Sequence, residues 1–146
     1  MRNFFINFVI FLIIILLLSP ILTEFKTPED MKKSDVITAK IVLNILQKAV
    51  TTYFQDNEIY PTTTQGLQAL LNKPTFPPIP KNYSSTGYLE RTLTSFPDPW
   101  GNPYQYTYQF LNGKHKVTII SFGADGKLGG EEYNADIISI IETDAN

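Results

Sequence analysis

The hydrophobic pattern of the chain begins with one long apolar segment close to the N-terminus. No charged residue lies between Arg2 and Glu24, and residues 8–18 are apolar without interruption. In a helix, about 20 such residues span roughly 30 Å, the thickness of the hydrocarbon core of a bilayer. The pattern therefore predicts a transmembrane anchor helix over residues 1–24, followed by a linker over residues 25–33.

Two other interpretations of this segment are weaker. A cleavable secretory signal would use Arg2 as its basic end, but residues 19–23 do not resemble a cleavage site with small residues. A buried core helix would need more protein around it than the rest of the chain supplies. The distribution of lysine and arginine does not decide the orientation, since Lys26, Lys32 and Lys33 face Arg2 across the span. The very short N-terminal tail favours an N-terminus in the cytoplasm.

After the linker, the apolar positions take the spacing of an amphipathic helix. Ser34 is a candidate N-cap, and the helical spacing continues from Asp35 to Asp56. The polar face is not strongly basic, so packing on the protein's own sheet is favoured over a helix lying on a membrane surface. The predicted inward face consists of Ala39, Val42, Leu43, Leu46, Ala49, Val50, Tyr53 and Phe54.

Prolines separate this helix from the C-terminal part of the chain. Tyr60 and Pro61 end the helix, and a threonine among residues 62–64 is expected to cap a short second helix that stops before Pro74. Four prolines within residues 74–80 predict a stiff surface connection, because proline fits neither regular helix nor central strand. The short helix carries four apolar residues, which are Leu67, Ala69, Leu70 and Leu71.

The clearest strand pattern follows a turn at residues 98–103, where Trp100 is expected to pack on the core. Aromatic residues then alternate with polar ones over residues 104–110, Asn112-Gly113 is a favoured two-residue hairpin turn, and residues 114–121 return as the partner strand. The predicted architecture is an α+β fold. Its long N-terminal helix, a membrane span plus an amphipathic half, packs on a small antiparallel β-sheet, with the globular domain at residues 34–146.

Composition narrows the possible chemistry. The chain has 146 residues, a net charge of −2 and no cysteine. No basic excess indicates nucleic-acid binding, and disulfides, thiolate zinc sites and cysteine nucleophiles are excluded. Because His115 is the only histidine, a zinc site built from several histidines is excluded as well.

Catalytic residues are scarce in the sequence. Glu131 and Glu132 are neighbours in the chain, and neighbouring carboxylates rarely face each other across a cleft as a glycosidase requires. Nothing in the sequence brings Ser84 or Ser85 to His115, which is most simply an exposed strand residue. We therefore predict a protein that is not an enzyme.

One glycine-rich segment, residues 121–137, combines flexibility with hard oxygen ligands. Its four glycines allow a compact turn in which carbonyl groups point inward. Calcium binds six to eight oxygens and accepts carboxylates mixed with carbonyls. The segment is not an EF-hand, because Lys127 and Gly129 stand where that loop needs ligands. An ordinary surface loop with solvated acids is the alternative to calcium binding. The available side chains are Asp125, Glu131, Glu132, Asn134 and Asp136.

Three stretches of the chain together resemble the major pseudopilins of type II secretion systems. They are Tyr60-Pro-Thr-Thr-Thr-Gln-Gly-Leu-Gln-Ala-Leu-Leu-Asn-Lys-Pro74; Gly87-Tyr-Leu89 with Pro97-Asp-Pro-Trp-Gly-Asn-Pro-Tyr-Gln-Tyr106; and Phe122-Gly-Ala-Asp-Gly-Lys-Leu-Gly-Gly130 with Ala135-Asp-Ile137. Their order and spacing also match over about residues 40–137. The resemblance implies a type IV pilin-like fold.

The resemblance also implies that the third stretch is a calcium loop that stabilises the subunit for assembly. Asp125 and Asp136 match its acidic ligands, and Phe122 matches a carbonyl ligand. Ala135 stands where some members have a further acid. The remaining oxygens are then expected from Glu131, Tyr133 or Asn134, through a side chain or a carbonyl.

The N-terminus departs from the family pattern. Counted back from Tyr60 without gaps, the first residue of the mature chain falls at Phe4. Asn3 then stands in place of the glycine of the cleavage site, and Phe8 in place of the glutamate that pairs with a neighbouring subunit.

The resemblance implies a structural subunit of a pseudopilus-like assembly that secretes proteins across the outer membrane. The chain would cross the bacterial inner membrane once, contact its lipid, and keep the C-terminal domain in the periplasm. Its partners would be its own copies, other pseudopilins and membrane components of the secretion system. The alternative is an unprocessed accessory protein that is anchored in the membrane and does not polymerise.

Overall fold

The computed structural model describes Ile13, residues 26–90 and residues 97–145. Its elements are helix α1 (Pro28–Asn57), a 3-10 helix (Leu67–Leu70), strands β1 (Gln105–Leu111) and β2 (Lys114–Ser121), a second 3-10 helix (Glu132–Asn134) and strand β3 (Ile137–Asp144). Apart from Ile13, the predicted anchor lies outside the described residues. Within the described part of the chain, no helix is both long and apolar enough to cross a membrane.

Helix α1 begins earlier than the sequence pattern predicted. Its first residue is Pro28, so the prediction of Ser34 as the N-cap is wrong, and most of the predicted linker is helical. Thr27 and Asp30 form a reciprocal cap, in which the Asp30 amide donates to Thr27 Oγ1 at 3.1 Å and the Thr27 amide donates to Asp30 Oδ2 at 3.1 Å. Proline is tolerated at the first helical position because the amide there has no partner within the helix.

The C-terminal unit, Ser34–Asn146, contains the hydrophobic core. The predicted inward face of α1 is confirmed, since six of its eight residues are buried, and Val42 and Phe54 pack against the core. Two buried tyrosines hold the sheet to the rest of the core: Tyr104 Oη donates to the Ala39 carbonyl at 3.4 Å, and Tyr106 Oη donates to the Pro61 carbonyl at 2.8 Å.

The sheet is antiparallel with the order β1-β2-β3. The predicted hairpin is confirmed, because Leu111 pairs with Lys114 across Asn112 and Gly113, whose φ angles are 54° and 73°. Strand β3 completes the sheet on the other side of β2, where Ser121 pairs with Ile137. The segment between these two partners is the glycine-rich loop.

The short second helix is only one 3-10 turn, and the prediction of a threonine cap is wrong, since its N-cap is Gly66. The four apolar residues predicted for it are buried. Gln65, buried just before this turn, organises its surroundings through its side-chain amide. Gln65 Oε1 accepts a hydrogen bond from the Thr62 amide, and Nε2 donates to the carbonyls of Phe76 and Pro78 at 2.9 and 3.0 Å. The proline-rich connection is thus fastened to the domain through its backbone.

Two expectations about aromatic packing are wrong. His115 is half-buried rather than exposed: its Nδ1 lies 2.8 Å from Tyr108 Oη, and its ring also contacts Tyr60 and Phe110. A strand residue next to a tight turn is covered here because the aromatic residues of β1 and of the α1 end surround it. Trp100 packs edge-on against Tyr133, at 5.4 Å between ring centroids, and not against the main core cluster.

Candidate metal centre

The glycine-rich loop leaves β2 after Ser121 and returns to β3 at Ile137, so its two ends are cross-strand partners. Its first limb, residues 122–130, and its second limb, residues 131–136, are joined by backbone hydrogen bonds. The Ala124 amide donates to the Tyr133 carbonyl at 3.3 Å, and the Asp136 amide donates to the Gly129 carbonyl at 3.2 Å. The predicted ligand segments around Phe122 to Asp125 and Tyr133 to Asp136 are therefore neighbours in space.

Two glycines allow these limbs to approach each other. Gly123 has a φ of 63°, and a Cβ atom there would lie 2.7 Å from the Asn134 carbonyl oxygen. A Cβ atom on Gly130, whose φ is 84°, would also collide with the Asn134 carbonyl. Since real Cβ atoms do not make such contacts with backbone, any other residue at either position would force the limbs apart.

Asp136 is the predicted ligand with the most distinctive surroundings. Its Oδ2 accepts a hydrogen bond from the Gly129 amide at 3.0 Å. Its Oδ1 is buried and has no hydrogen-bond partner among the described residues. A buried carboxylate oxygen is costly unless something compensates its charge, so this atom is suited to receive a cation.

The other predicted ligands lie along the same loop with different exposure. Asp125 is exposed, and its Oδ1 accepts a hydrogen bond from the Lys127 amide at 3.1 Å. Phe122 is half-buried, whereas Glu131 and Asn134 are exposed. The Glu131 carbonyl accepts a hydrogen bond from the Asn134 amide at 2.9 Å.

The phenol of Tyr133 is engaged away from the loop. Tyr133 Oη donates to Asp35 Oδ2 of helix α1 at 2.6 Å. This bond to an anionic acceptor is the main reason that the pKa of Tyr133 is raised above its ordinary value. The hydrogen bond connects the second limb of the loop to α1. Because the phenol oxygen is engaged there, the oxygen that Tyr133 can offer to a cation in the loop is its backbone carbonyl.

Carboxylates alone do not make a metal site here. No group of three or more histidine, cysteine, aspartate or glutamate residues in the described ranges is arranged to hold a metal ion. A cation bound by this loop would need backbone carbonyls in addition to Asp125 and Asp136. Calcium accepts such mixed oxygen sets, whereas metals that need several nitrogen or sulfur ligands do not.

A second turn, at residues 98–102, supports the loop and was not predicted as part of the site. Asp98 is buried, and its Oδ2 accepts a hydrogen bond from Ser121 Oγ at 2.6 Å. Asn102 Nδ2 donates to the Gly123 carbonyl at 3.0 Å. The sequence signal for this turn is the dense run of aspartate, prolines, glycine and asparagine, but the run does not reveal which loop the turn contacts.

The residues considered for catalysis have other hydrogen-bond partners. Ser84 Oγ lies 3.1 Å from Thr86 Oγ1, whereas His115 Nδ1 pairs with Tyr108. Nothing in these contacts couples a nucleophile to a base.

Comparison with known proteins shows which family the chain is similar to. The sequence profile of the family described as type II secretion system (T2SS), protein G matches residues 26–140. The chain is 40% identical over 129 residues to the type II secretion system core protein G of Pseudomonas aeruginosa, a match that covers 86% of this chain and 87% of that protein. It is 39% identical over 127 residues to the protein of the same name from Vibrio cholerae, covering 85% of this chain and 83% of the relative.

The fold matches a solved structure of the same kind. The crystal structure of the major pseudopilin from the type 2 secretion system of enterohaemorrhagic Escherichia coli is 38% identical to this chain and superimposes with a TM-score of 0.59. The match covers 75% of this chain and 90% of that structure. A long helix on a small antiparallel sheet is thus confirmed as a pilin-like fold, and the chain belongs to the protein G family of type II secretion systems, the pseudopilins.

Proposed function

We propose that this chain is a structural subunit of the type II secretion pseudopilus and that its glycine-rich loop binds calcium. Membership of the protein G family carries the first part of the proposal. The family relationship does not favour the alternative of an accessory protein that never assembles. Other pseudopilins and components of the secretion system are the expected partners.

The calcium part of the proposal rests on Asp136. Its Oδ1 is buried without a hydrogen-bond partner among the described residues. The backbone of Asn134, two residues before it, lies so close to Gly123 and Gly130 that a Cβ atom on either glycine would collide with the Asn134 carbonyl. The Asp125 and Asp136 carboxylates and the Phe122 carbonyl would hold the ion. Further oxygens would come from Glu131, Asn134 and the Tyr133 carbonyl. Calcium held by these oxygens would supply the positive charge that compensates the carboxylates, and the ligands from both limbs would then be linked through it.

The proposal for the N-terminus follows the sequence. An uncharged segment between Arg2 and Glu24 would anchor the chain in the bacterial inner membrane and leave the C-terminal domain in the periplasm. Lipid contacts would then be confined to this segment. N-terminal sequencing of the protein from its native host distinguishes the two functions, since a chain that starts at Phe4 cannot be an unprocessed accessory protein.

Calcium binding is tested on the full chain, purified in mild detergent, by thermal unfolding with added calcium and with a chelator. A ligand that binds only the folded state stabilises it by about 2.7 kcal/mol at a hundredfold excess over its dissociation constant. We expect calcium to raise the melting temperature of the wild-type chain and to have no effect on Asp136→Ala or Asp125→Ala.

The matched control is Asp144→Ala, which removes an exposed carboxylate of β3 outside the loop. This variant should keep the full response to calcium. An equal melting temperature of the wild-type chain with calcium and with chelator would contradict the calcium proposal and leave the family assignment untouched.

A further inference from the structure

We propose that Asp98 and Ser121 are positioning residues for the calcium loop, because together they fix the direction of the Phe122 carbonyl. This inference rests on the proposed calcium function. Neither Asp98 nor Ser121 is a ligand in the proposed calcium site. Asp98 lies 23 positions before Ser121 in the chain.

The Asp98 carboxylate is itself held rigidly. Oδ1 accepts hydrogen bonds from the Trp100 amide at 3.1 Å and from the Asn102 amide at 2.8 Å. The Asp98 amide also donates to the Asn102 carbonyl at 2.7 Å. With the side chain almost fully buried, the second oxygen, Oδ2, has a fixed position beside the end of β2.

The Ser121 hydroxyl has a single proton to donate. Ser121 Oγ lies 2.6 Å from Asp98 Oδ2, a short distance typical of a hydroxyl that donates to a carboxylate. Because the proton is used there, the serine oxygen can only accept its other hydrogen bond. It accepts from the Gly123 amide at 3.3 Å.

The Gly123 amide is connected through the backbone to the predicted ligand, the Phe122 carbonyl. The Gly123 N–H and the Phe122 C=O belong to the same peptide group, and in a trans peptide they point in opposite directions. Holding the amide towards Ser121 therefore holds the Phe122 carbonyl away from Ser121. We call this pair of hydrogen bonds, from Ser121 to Asp98 and from the Gly123 amide to Ser121, the relay. It sets the orientation of one backbone ligand without contacting the ion.

Asn102, from the same turn, restrains the next peptide group. Its Nδ2 donates to the Gly123 carbonyl at 3.0 Å, so that this oxygen has a protein partner. A Cβ atom on Gly126 would lie only 2.8 Å from Asn102 Oδ1, which shows how closely the loop is packed on this side chain. The turn at residues 98–102 thus controls consecutive carbonyls of the first limb.

The test compares two variants that each delete one hydrogen-bonding hydroxyl from a buried residue. Ser121→Ala breaks the relay, whereas Tyr106→Phe removes the bond to the Pro61 carbonyl. Both should lower the stability of the calcium-free protein. Calcium affinity, measured on the full chain in detergent by isothermal titration calorimetry, should fall about tenfold in Ser121→Ala, as expected from one lost buried hydrogen bond. It should change by less than about twofold in Tyr106→Phe, because the hydroxyl removed there binds the Pro61 carbonyl and not a backbone group of the loop.

A third variant, Asp98→Asn, covers the possibility that Ser121→Ala does not fold. The asparagine keeps an oxygen for the amides of Trp100 and Asn102, but it offers Ser121 an N–H instead of a lone pair. We expect a partial loss of calcium affinity with a far-ultraviolet circular dichroism spectrum like that of the wild type.

The outcomes separate the two proposals. Weaker calcium binding in Ser121→Ala or Asp98→Asn, with normal binding in Tyr106→Phe, supports the relay. Wild-type affinity in the folded relay variants overturns it while the calcium function stands, and so does an equal loss in Tyr106→Phe. If the wild-type chain itself binds no calcium, the proposed calcium function fails, and the relay fails with it.

Discussion

The helix–sheet core and the glycine-rich loop of this domain are stabilised in different ways. The core is built from side chains such as Leu46, Val50 and Ile119, which are all fully buried. The loop has few buried apolar side chains, and its shape depends on hydrogen bonds to backbone groups and on glycines at close approaches. Burial is not directional and tolerates small shifts, whereas a hydrogen bond or a metal ligand needs a defined direction. The comparison indicates that damage to the core should change global stability, and that damage to the loop should change calcium binding.

The largest expected effect comes from the core. Leu46→Ala creates a cavity beneath α1 and should lower the free energy of unfolding by about 2–5 kcal/mol. Urea unfolding measures the loss, which should be the same with calcium and with chelator. Ile41→Ala, on the same helix but 53% exposed, is the matched control and should cost less than about 0.5 kcal/mol. A Leu46→Ala loss that appears only with chelator would show that core and loop are not separable.

An intermediate effect is expected at alkaline pH, again from the core. Burial raises the pKa of Tyr53 to about 12, and burial also raises the pKa of Tyr104 to about 12. Between the ordinary pKa of about 10 and these values, the folded chain keeps protons that the unfolded chain has released. The stability that these two protonated tyrosines contribute is therefore fully present below pH 10 and is lost as the pH rises towards 12.

The variant that tests this origin is Tyr53→Phe. Tyr53 Oη is buried without a partner among the described residues, so its removal should cost little at neutral pH and should flatten the alkaline decline. Urea unfolding at several pH values provides the measurement. An alkaline decline equal to that of the wild type would assign the effect to other groups.

The smallest effect is expected from the bond between the loop and helix α1. Tyr133→Phe removes the hydrogen bond to Asp35 and should cost about 1–2 kcal/mol, because the acceptor is charged but only partly buried. Thermal unfolding with and without calcium gives the cost and its dependence on the ion. A loss as large as that of Leu46→Ala would mean that the loop contributes to global stability as strongly as the core.

The elements whose buried positions repeat at a regular spacing could be predicted from the sequence. The inward face of α1 and the hairpin around Asn112-Gly113 are confirmed because buried positions repeat at the spacing of each element. The start of α1 could not be predicted from the same pattern. Proline breaks a helix in its interior but is favoured at its first position, so Pro28 alone does not show where α1 begins. The cap at Thr27 shows that Pro28 is the first residue of the helix.

The hydrogen bonds that hold the candidate site in place could not be predicted from the sequence, for a different reason. The Tyr133–Asp35 bond joins residues 98 positions apart, and the Asp98–Ser121 bond joins residues 23 positions apart. Neither pair has a spacing that marks it, since both contacts depend on how the finished fold places the loop. The six predicted ligands remain a prediction, to which the structure adds the unpartnered oxygen of Asp136.

The way in which Gln65 fastens the proline-rich connection has a consequence for how this protein can change during evolution. Its amide binds the carbonyls of Phe76 and Pro78, which every amino acid carries, and both residues are themselves exposed. Recognition of this kind does not depend on side-chain identity. The connection can therefore exchange its outward side chains, and with them the surface it offers to other molecules, as long as Gln65 and the backbone path are kept.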